Sequence, residues 1–153
     1  EPENLHLTLK FLGEMPSNEV YDVVRAVQKA VDRIEPFPVD LQGVGAFPNI
    51  RDARTIWIGI TQGHDQLATL SGAVDRSLVE IGFPPEGRAF VGHLTLGRAR
   101  RGGRPSPVLP KLLEQLSATE FGAMTIDAVS VYSSELSRQG PKYEVLAECT
   151  LGG

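Results

Sequence analysis

The sequence predicts a mixed α+β fold, and three features carry that prediction. The chain opens on a strictly alternating strand pattern. Two long stretches show helical periodicity. Strand and helix signals follow one another without the regular alternation of a doubly wound parallel sheet. At 153 residues, 41% hydrophobic and 22% charged, the chain suits a single domain, 1–153, with a sizeable core.

Over residues 4–11, Leu5, Leu7, Leu9 and Phe11 alternate with His6, Thr8 and Lys10, the mark of a half-buried strand. Gly13 and Pro16 end it. Ser17 is placed as the N-cap of a helix that reaches Ile34, with Val20, Val23, Val24, Val27, Val31 and Ile34 as its apolar stripe. Pro36 and Pro38 close that helix. A strand is expected over 39–44, then a turn through Phe47, Pro48 and Asn49, then a well-buried strand over 55–60 that contains Trp57. A second helix over 65–81 gathers Leu67, Leu70, Val74, Leu78 and Ile81 on one face. After the connector Pro84, Pro85 and Gly87, a strand is expected over 88–97, a basic glycine-rich loop over 98–107 and a short helix over 109–116. The last strands are placed over 124–133 and 143–151.

Charge and cysteine content narrow the function classes. A net charge of −4 argues against a broad non-specific nucleic-acid footprint, though not against recognition of one or two phosphates. The basic cluster is local: Arg98, Arg100, Arg101 and Arg104. The lone Cys149 excludes an internal disulfide and a cysteine-based zinc site, and favours a reducing compartment. No apolar run approaches bilayer-spanning length and no charged-then-apolar stretch reads as a signal peptide, so a cytoplasmic protein is expected.

One word repeats. His6-Leu7-Thr8-Leu9 recurs as His93-Leu94-Thr95-Leu96, each copy on an expected strand, which suggests two related lobes. Residues two apart on a strand share a face at roughly 6.5–7 Å, so each copy presents an imidazole beside a hydroxyl while its leucines turn inward. Two imidazoles suit displacement at phosphorus. With a reference pKa of about 6.5, one ring can accept a proton from water while the other protonates the departing oxygen. The threonine hydroxyls can donate to the non-bridging oxygens, where charge builds in the transition state. No metal or cofactor is required.

The pair of motifs resembles the two-histidine (2H) phosphoesterases. Pro2-Glu3-Asn4-Leu5-His6-Leu7-Thr8-Leu9-Lys10-Phe11-Leu12-Gly13 and Phe90-Val91-Gly92-His93-Leu94-Thr95-Leu96-Gly97-Arg98 are similar to the RNA 2′,3′-cyclic phosphodiesterase branch, also known as 2′–5′ RNA ligase or LigT. The closing stretch Ser134-Glu135-Leu136 and Gly140-Pro141-Lys142-Tyr143-Glu144-Val145-Leu146 is similar to that branch's last hairpin. The resemblance implies a bilobal, LigT-like fold with two pseudo-symmetric lobes, antiparallel sheets lining a central cleft and helices outside. It implies His6 as proton donor, His93 as proton acceptor, and Thr8, Thr95 and Arg98 as phosphate-binding residues. It offers Phe11 as a base contact, although alternation puts that ring in the core, and strand parity sets Arg98 off the His93 face unless the strand ends at Gly97. The partners implied are RNA termini or small cyclic-phosphate nucleotides, bound by a monomer. Two departures stand out. Members carry a strand and helix ahead of the first motif, which here opens the chain, and Gly92 stands where proline often precedes the second histidine.

Among the other residues, His64 reads as a surface position, Trp57 and Tyr143 as core or hairpin residues, and Tyr132 as a residue that could border the cleft. Three rivals keep the same residues. One is an RNA-end binding module without turnover. Another is a metal-dependent phosphoesterase recruiting Glu14 or Asp127, for which no zinc-ligand spacing exists. The last is a cyclic phosphodiesterase acting on a small nucleotide.

Overall fold

The computed structural model describes residues 6–100, 102–104 and 106–153. Asn4 and Leu5 of the expected first strand, and Arg101 and Pro105 of the basic loop, lie outside the described residues. In chain order the elements are a 3-10 turn at Ser17–Glu19, α1 (Val20–Val31), β1 (Phe37–Phe47), β2 (Thr55–Ile60), α2 (His64–Val79), β3 (His93–Arg98), α3 (Leu109–Gln115), β4 (Glu120–Ile126), β5 (Ala128–Ser137) and β6 (Gly140–Thr150). The fold is α+β. It divides into two compact units: one comprises the chain as far as Leu7, Pro38–His64 and Val91–Thr125, the other Thr8–Phe37, Asp65–Phe90 and Ile126–Gly153.

The first unit is built on a four-stranded sheet of order β3-β2-β1-β4, in which β1/β2 and β2/β3 are antiparallel. Register decides its faces, because residues directly opposite across an antiparallel pair point the same way. Ile58 pairs with Val44 and Leu94, and Ile56 with Ala46. These side chains form an apolar cluster with Leu113 of α3, bordered by Leu41, Leu109 and Leu116. Each such buried aliphatic side chain is worth about 1.5–3 kcal/mol over an exposed one. Gly43 interrupts β1 with a bulge at φ +75°, and its N–H donates to the Thr119 carbonyl at 2.8 Å. A Cβ there would also meet the Ser117 oxygen at 2.6 Å, so only glycine fits.

The second unit packs α1 and α2 with the antiparallel hairpin β5–β6. Val23, Ala26, Val27 and Val31 of α1 are buried, as are Leu67, Leu70, Val74 and Leu78 of α2. The helices touch through the buried Ser77, whose Oγ donates to the Ala26 carbonyl at 2.7 Å. Gln28 Nε2 donates to the Thr150 carbonyl at 3.2 Å and Gly152 N–H to that of Val31 at 3.3 Å, which ties α1 to the end of β6.

Several expectations need correction. The helix start falls later than Ser17: a 3-10 turn intervenes, and neither Pro16 nor Glu19 makes a side-chain cap bond. The helix also stops at Val31, where Ile34 N–H turns back to the Val31 carbonyl at 3.0 Å. Ile81 is beyond the end of α2 and 43% exposed. The expected strand over 124–133 is two strands that part at Asp127, β4 in the sheet and β5 in the hairpin.

The first motif departs furthest from its pattern. Residues 6–11 are not part of any strand. Phe11, assigned by parity to the core, is 81% exposed, whereas the Lys10 side chain is only 8% exposed. Lys10 Nζ pairs with Asp75 of α2 and donates to the Pro84 carbonyl at 2.7 Å. Without a neighbouring strand nothing enforces period two, and an ion pair sets the orientation at Lys10 instead.

Candidate active site

The second motif lies on β3. Of its residues, Leu94 faces the apolar cluster, while His93 is opposite Gly59 and Thr95 opposite Trp57. Gly59 and Trp57 are two apart on β2, so His93, Thr95 and Trp57 share the sheet face turned away from the core.

Arg98 joins that face through an irregularity. The β2/β3 register shifts between Ile56, opposite Gly97, and Trp57, opposite Thr95, which leaves Leu96 as an extra residue. This bulge reverses parity beyond it. Arg98 is therefore opposite Thr55, in phase with Thr95, and its Nη1 donates to Thr55 Oγ1 at 3.1 Å. The strand does not end at Gly97. The bulge, not a strand end, brings the guanidinium round.

The His93 ring is held on two sides. Its Nδ1 is 2.9 Å from the Val91 carbonyl oxygen, which can only accept. Nδ1 therefore carries the proton, and in the neutral ring Nε2 keeps the lone pair a general base needs. Against the ring stands Phe47, with centroids 5.2 Å apart and planes at 81°, and Trp57 at 6.3 Å. Phe47 and Trp57 are themselves 5.4 Å apart. The three rings form one cluster, each such pair worth about 0.5–1.5 kcal/mol beyond burial.

A glycine makes room for the indole. A Cβ on Gly45, directly opposite Trp57, would come 2.8 Å from Cε2 and closer still to Cζ2 and Cη2. One on Gly59 would instead come 2.8 Å from the Gln42 carbonyl oxygen, with the ring at an ordinary 3.5 Å. The indole therefore lies across bare backbone, with Nε1 buried and, among the described residues, without a hydrogen-bond partner. Of the two places expected for Trp57, core or hairpin face, it takes the second, on the face of the β1–β2 hairpin that carries His93. Phe47 and Trp57 are the site residues that sequence reasoning missed. The available signal was alternation within β2, which groups Trp57 with Thr55 and Gly59 against Ile56, Ile58 and Ile60.

The approach to His93 is also specified. Gly92 N–H donates to His64 Nε2 at 3.4 Å, so His64 is half-buried and engaged, not a plain surface position. A proline at 92 would have no N–H for this bond, which gives the departure at that position a physical basis. Arg100 and Arg104 are exposed. His6 is half-buried and belongs to the same compact unit as His93, whereas Thr8, exposed, and Phe11 belong to the other. Among the described residues no three His, Cys, Asp or Glu side chains cluster as a metal site would require. No helix among the described residues is long and apolar enough to cross a membrane.

The β3 face thus gathers an imidazole, a hydroxyl and a guanidinium, and comparison specifies the class of protein that carries them. Residues 1–138 match the family model of the 2′-5′ RNA ligase superfamily, and the chain belongs to that superfamily. It is 38% identical over 143 residues to the RNA 2′,3′-cyclic phosphodiesterase of Methanothermobacter thermautotrophicus, covering 94% of this chain and 76% of the relative. It is 36% identical over 148 residues to the protein of the same name from Aeropyrum pernix, covering 97% and 82%. The crystal structure of TT0787 from Thermus thermophilus superposes with a TM-score of 0.82 at 28% identity, covering 100% of this chain and 81% of that one.

Proposed function

We propose that this chain hydrolyses the 2′,3′-cyclic phosphate at an RNA end to a 2′-phosphomonoester, with His6 as acid and His93 as base. The observation that supports it most is the 2.9 Å approach of His93 Nδ1 to the Val91 carbonyl oxygen, on the face that holds Thr95 and Arg98. The relatives named above carry the same activity in their names.

In this reading His93 Nε2 takes a proton from water as its oxygen bonds to phosphorus. The bond from phosphorus to the 3′ oxygen breaks, and His6 delivers a proton to that oxygen. Thr8 and Thr95 donate to the non-bridging oxygens, and Arg98 neutralises the charge that builds there. Phe11, solvent-facing, stacks on the terminal base. With a 5′-hydroxyl in place of water as the nucleophile, the same displacement forms a 2′–5′ bond as the bond from phosphorus to the 3′ oxygen breaks and that oxygen takes a proton. The enzyme acts as a cytoplasmic monomer.

The test is turnover of an oligoribonucleotide ending in a 2′,3′-cyclic phosphate, with chelator present and products resolved by chromatography. The expected product is the 2′-phosphate, and His6→Ala and His93→Ala should each slow it by about two to four orders of magnitude. Binding of the end without turnover would establish the non-catalytic module instead. Turnover confined to small cyclic nucleotides would replace RNA as the substrate.

A further inference from the structure

We infer that Phe47 is a positioning residue for the base of this reaction: its ring, backed by Trp57, holds the His93 imidazole in one orientation. The inference rests on the reading of His93 as base. One hydrogen bond, from Nδ1 to the Val91 carbonyl, fixes a point on the imidazole but leaves the plane free to swing about it. A second restraint is needed to aim Nε2. Phe47 supplies it from the end of β1, with its ring centroid 5.2 Å from that of His93 at 81°, the edge-to-face arrangement aromatic rings prefer. Phe47 cannot itself fall back across the sheet, because the indole of Trp57 stands 5.4 Å away on bare backbone at Gly45. Phe47 reaches His93 from two strands away, across β2. No hydrogen-bonding group is involved, so its effect on chemistry passes through orientation alone.

The experiment compares Phe47→Ala, Phe47→Leu and Phe47→Tyr by steady-state kinetics on the cyclic-phosphate oligonucleotide and by long-range ¹⁵N–¹H spectra of the His93 ring. In the wild type the spectra should show one neutral tautomer, protonated at Nδ1. In Phe47→Ala that signal should broaden or split into two tautomers. The kcat should fall about ten- to a hundredfold, the scale of a displacement near 1 Å, with KM within about twofold. Phe47→Tyr should restore both, and Phe47→Leu, which keeps bulk if alanine fails to fold, should be intermediate. A rise in KM at constant kcat would make Phe47 a substrate platform and overturn the inference. So would an unchanged tautomer spectrum in a folded alanine variant. Should the wild type itself prove inactive, the proposed function fails, yet the spectra still decide the positioning role.

Discussion

Replacing Gly45 with alanine tests how the histidine face is built. The added Cβ would come 2.8 Å from Trp57 Cε2 and nearer to Cζ2 and Cη2, where carbon contacts are comfortable at about 3.5–4.0 Å. The indole must therefore retreat by about 1 Å, since the Cβ is fixed to backbone. Overpacking of this kind costs about 1–3 kcal/mol, or roughly 3–10 °C of melting temperature in a chain of this size. The retreating ring touches Phe47 and His93, so turnover of the cyclic-phosphate substrate should drop about tenfold or more. Trp57→Phe removes the obstructing ring atoms and a buried donor that has no partner among the described residues, so the double variant should recover much of the lost stability. Calorimetry and initial rates on the two single variants and the double variant complete the cycle. A Gly45→Ala protein that melts and turns over like the wild type would refute the stacking argument, as would strict additivity.

Three further outcomes are expected. Lys10 hydrogen-bonded to Asp75 holds that carboxyl below the usual range, against partial desolvation and aided by the Glu86 amide and the charges of Lys10 and Arg76. The pair's contribution, about 2 kcal/mol for charged hydrogen bonds in a part-buried place, is therefore complete above the ordinary carboxylate value of about 3.9. It disappears as pH falls through the lowered folded value, and Asp75→Asn should flatten the acid-unfolding profile in that window. Arg98→Gln should slow turnover about ten- to a thousandfold while leaving the melting temperature within about 2 °C, because the bond to Thr55 is peripheral to the apolar cluster; an unaffected rate would remove the guanidinium from the chemistry. Burial, and to a smaller extent Asp32, pushes the Cys149 thiol above its ordinary value, so a thiol reagent should leave the native protein unmodified near pH 8 and react with one group once it is unfolded.

The repeated His-Leu-Thr-Leu words, the family they belong to and the α+β class were all legible in one dimension. So were β2, placed at the residues it occupies, and the buried stripes of α1 and α2. Local periodicity reports these because each depends on which side chains of one element face a core, a property the element carries with it. Partners across the sheet are another matter. Leu96 reads as a regular strand position, yet only pairing with β2 shows it to be the extra residue that turns Arg98 toward Thr55. Phe47 sits in a turn-rich stretch that gives no hint of His93, because the contact spans β1 to β3. The alternation over residues 6–11 misleads for the same reason in reverse. It is a real pattern, but without a neighbouring strand to enforce it the ion pair from Lys10 to Asp75 wins, and Phe11 turns to solvent. The two motifs and their family were thus readable from the order of residues in the chain. Their orientation depended on non-local hydrogen-bond register and ring packing, interactions that exist only once distant segments are folded together.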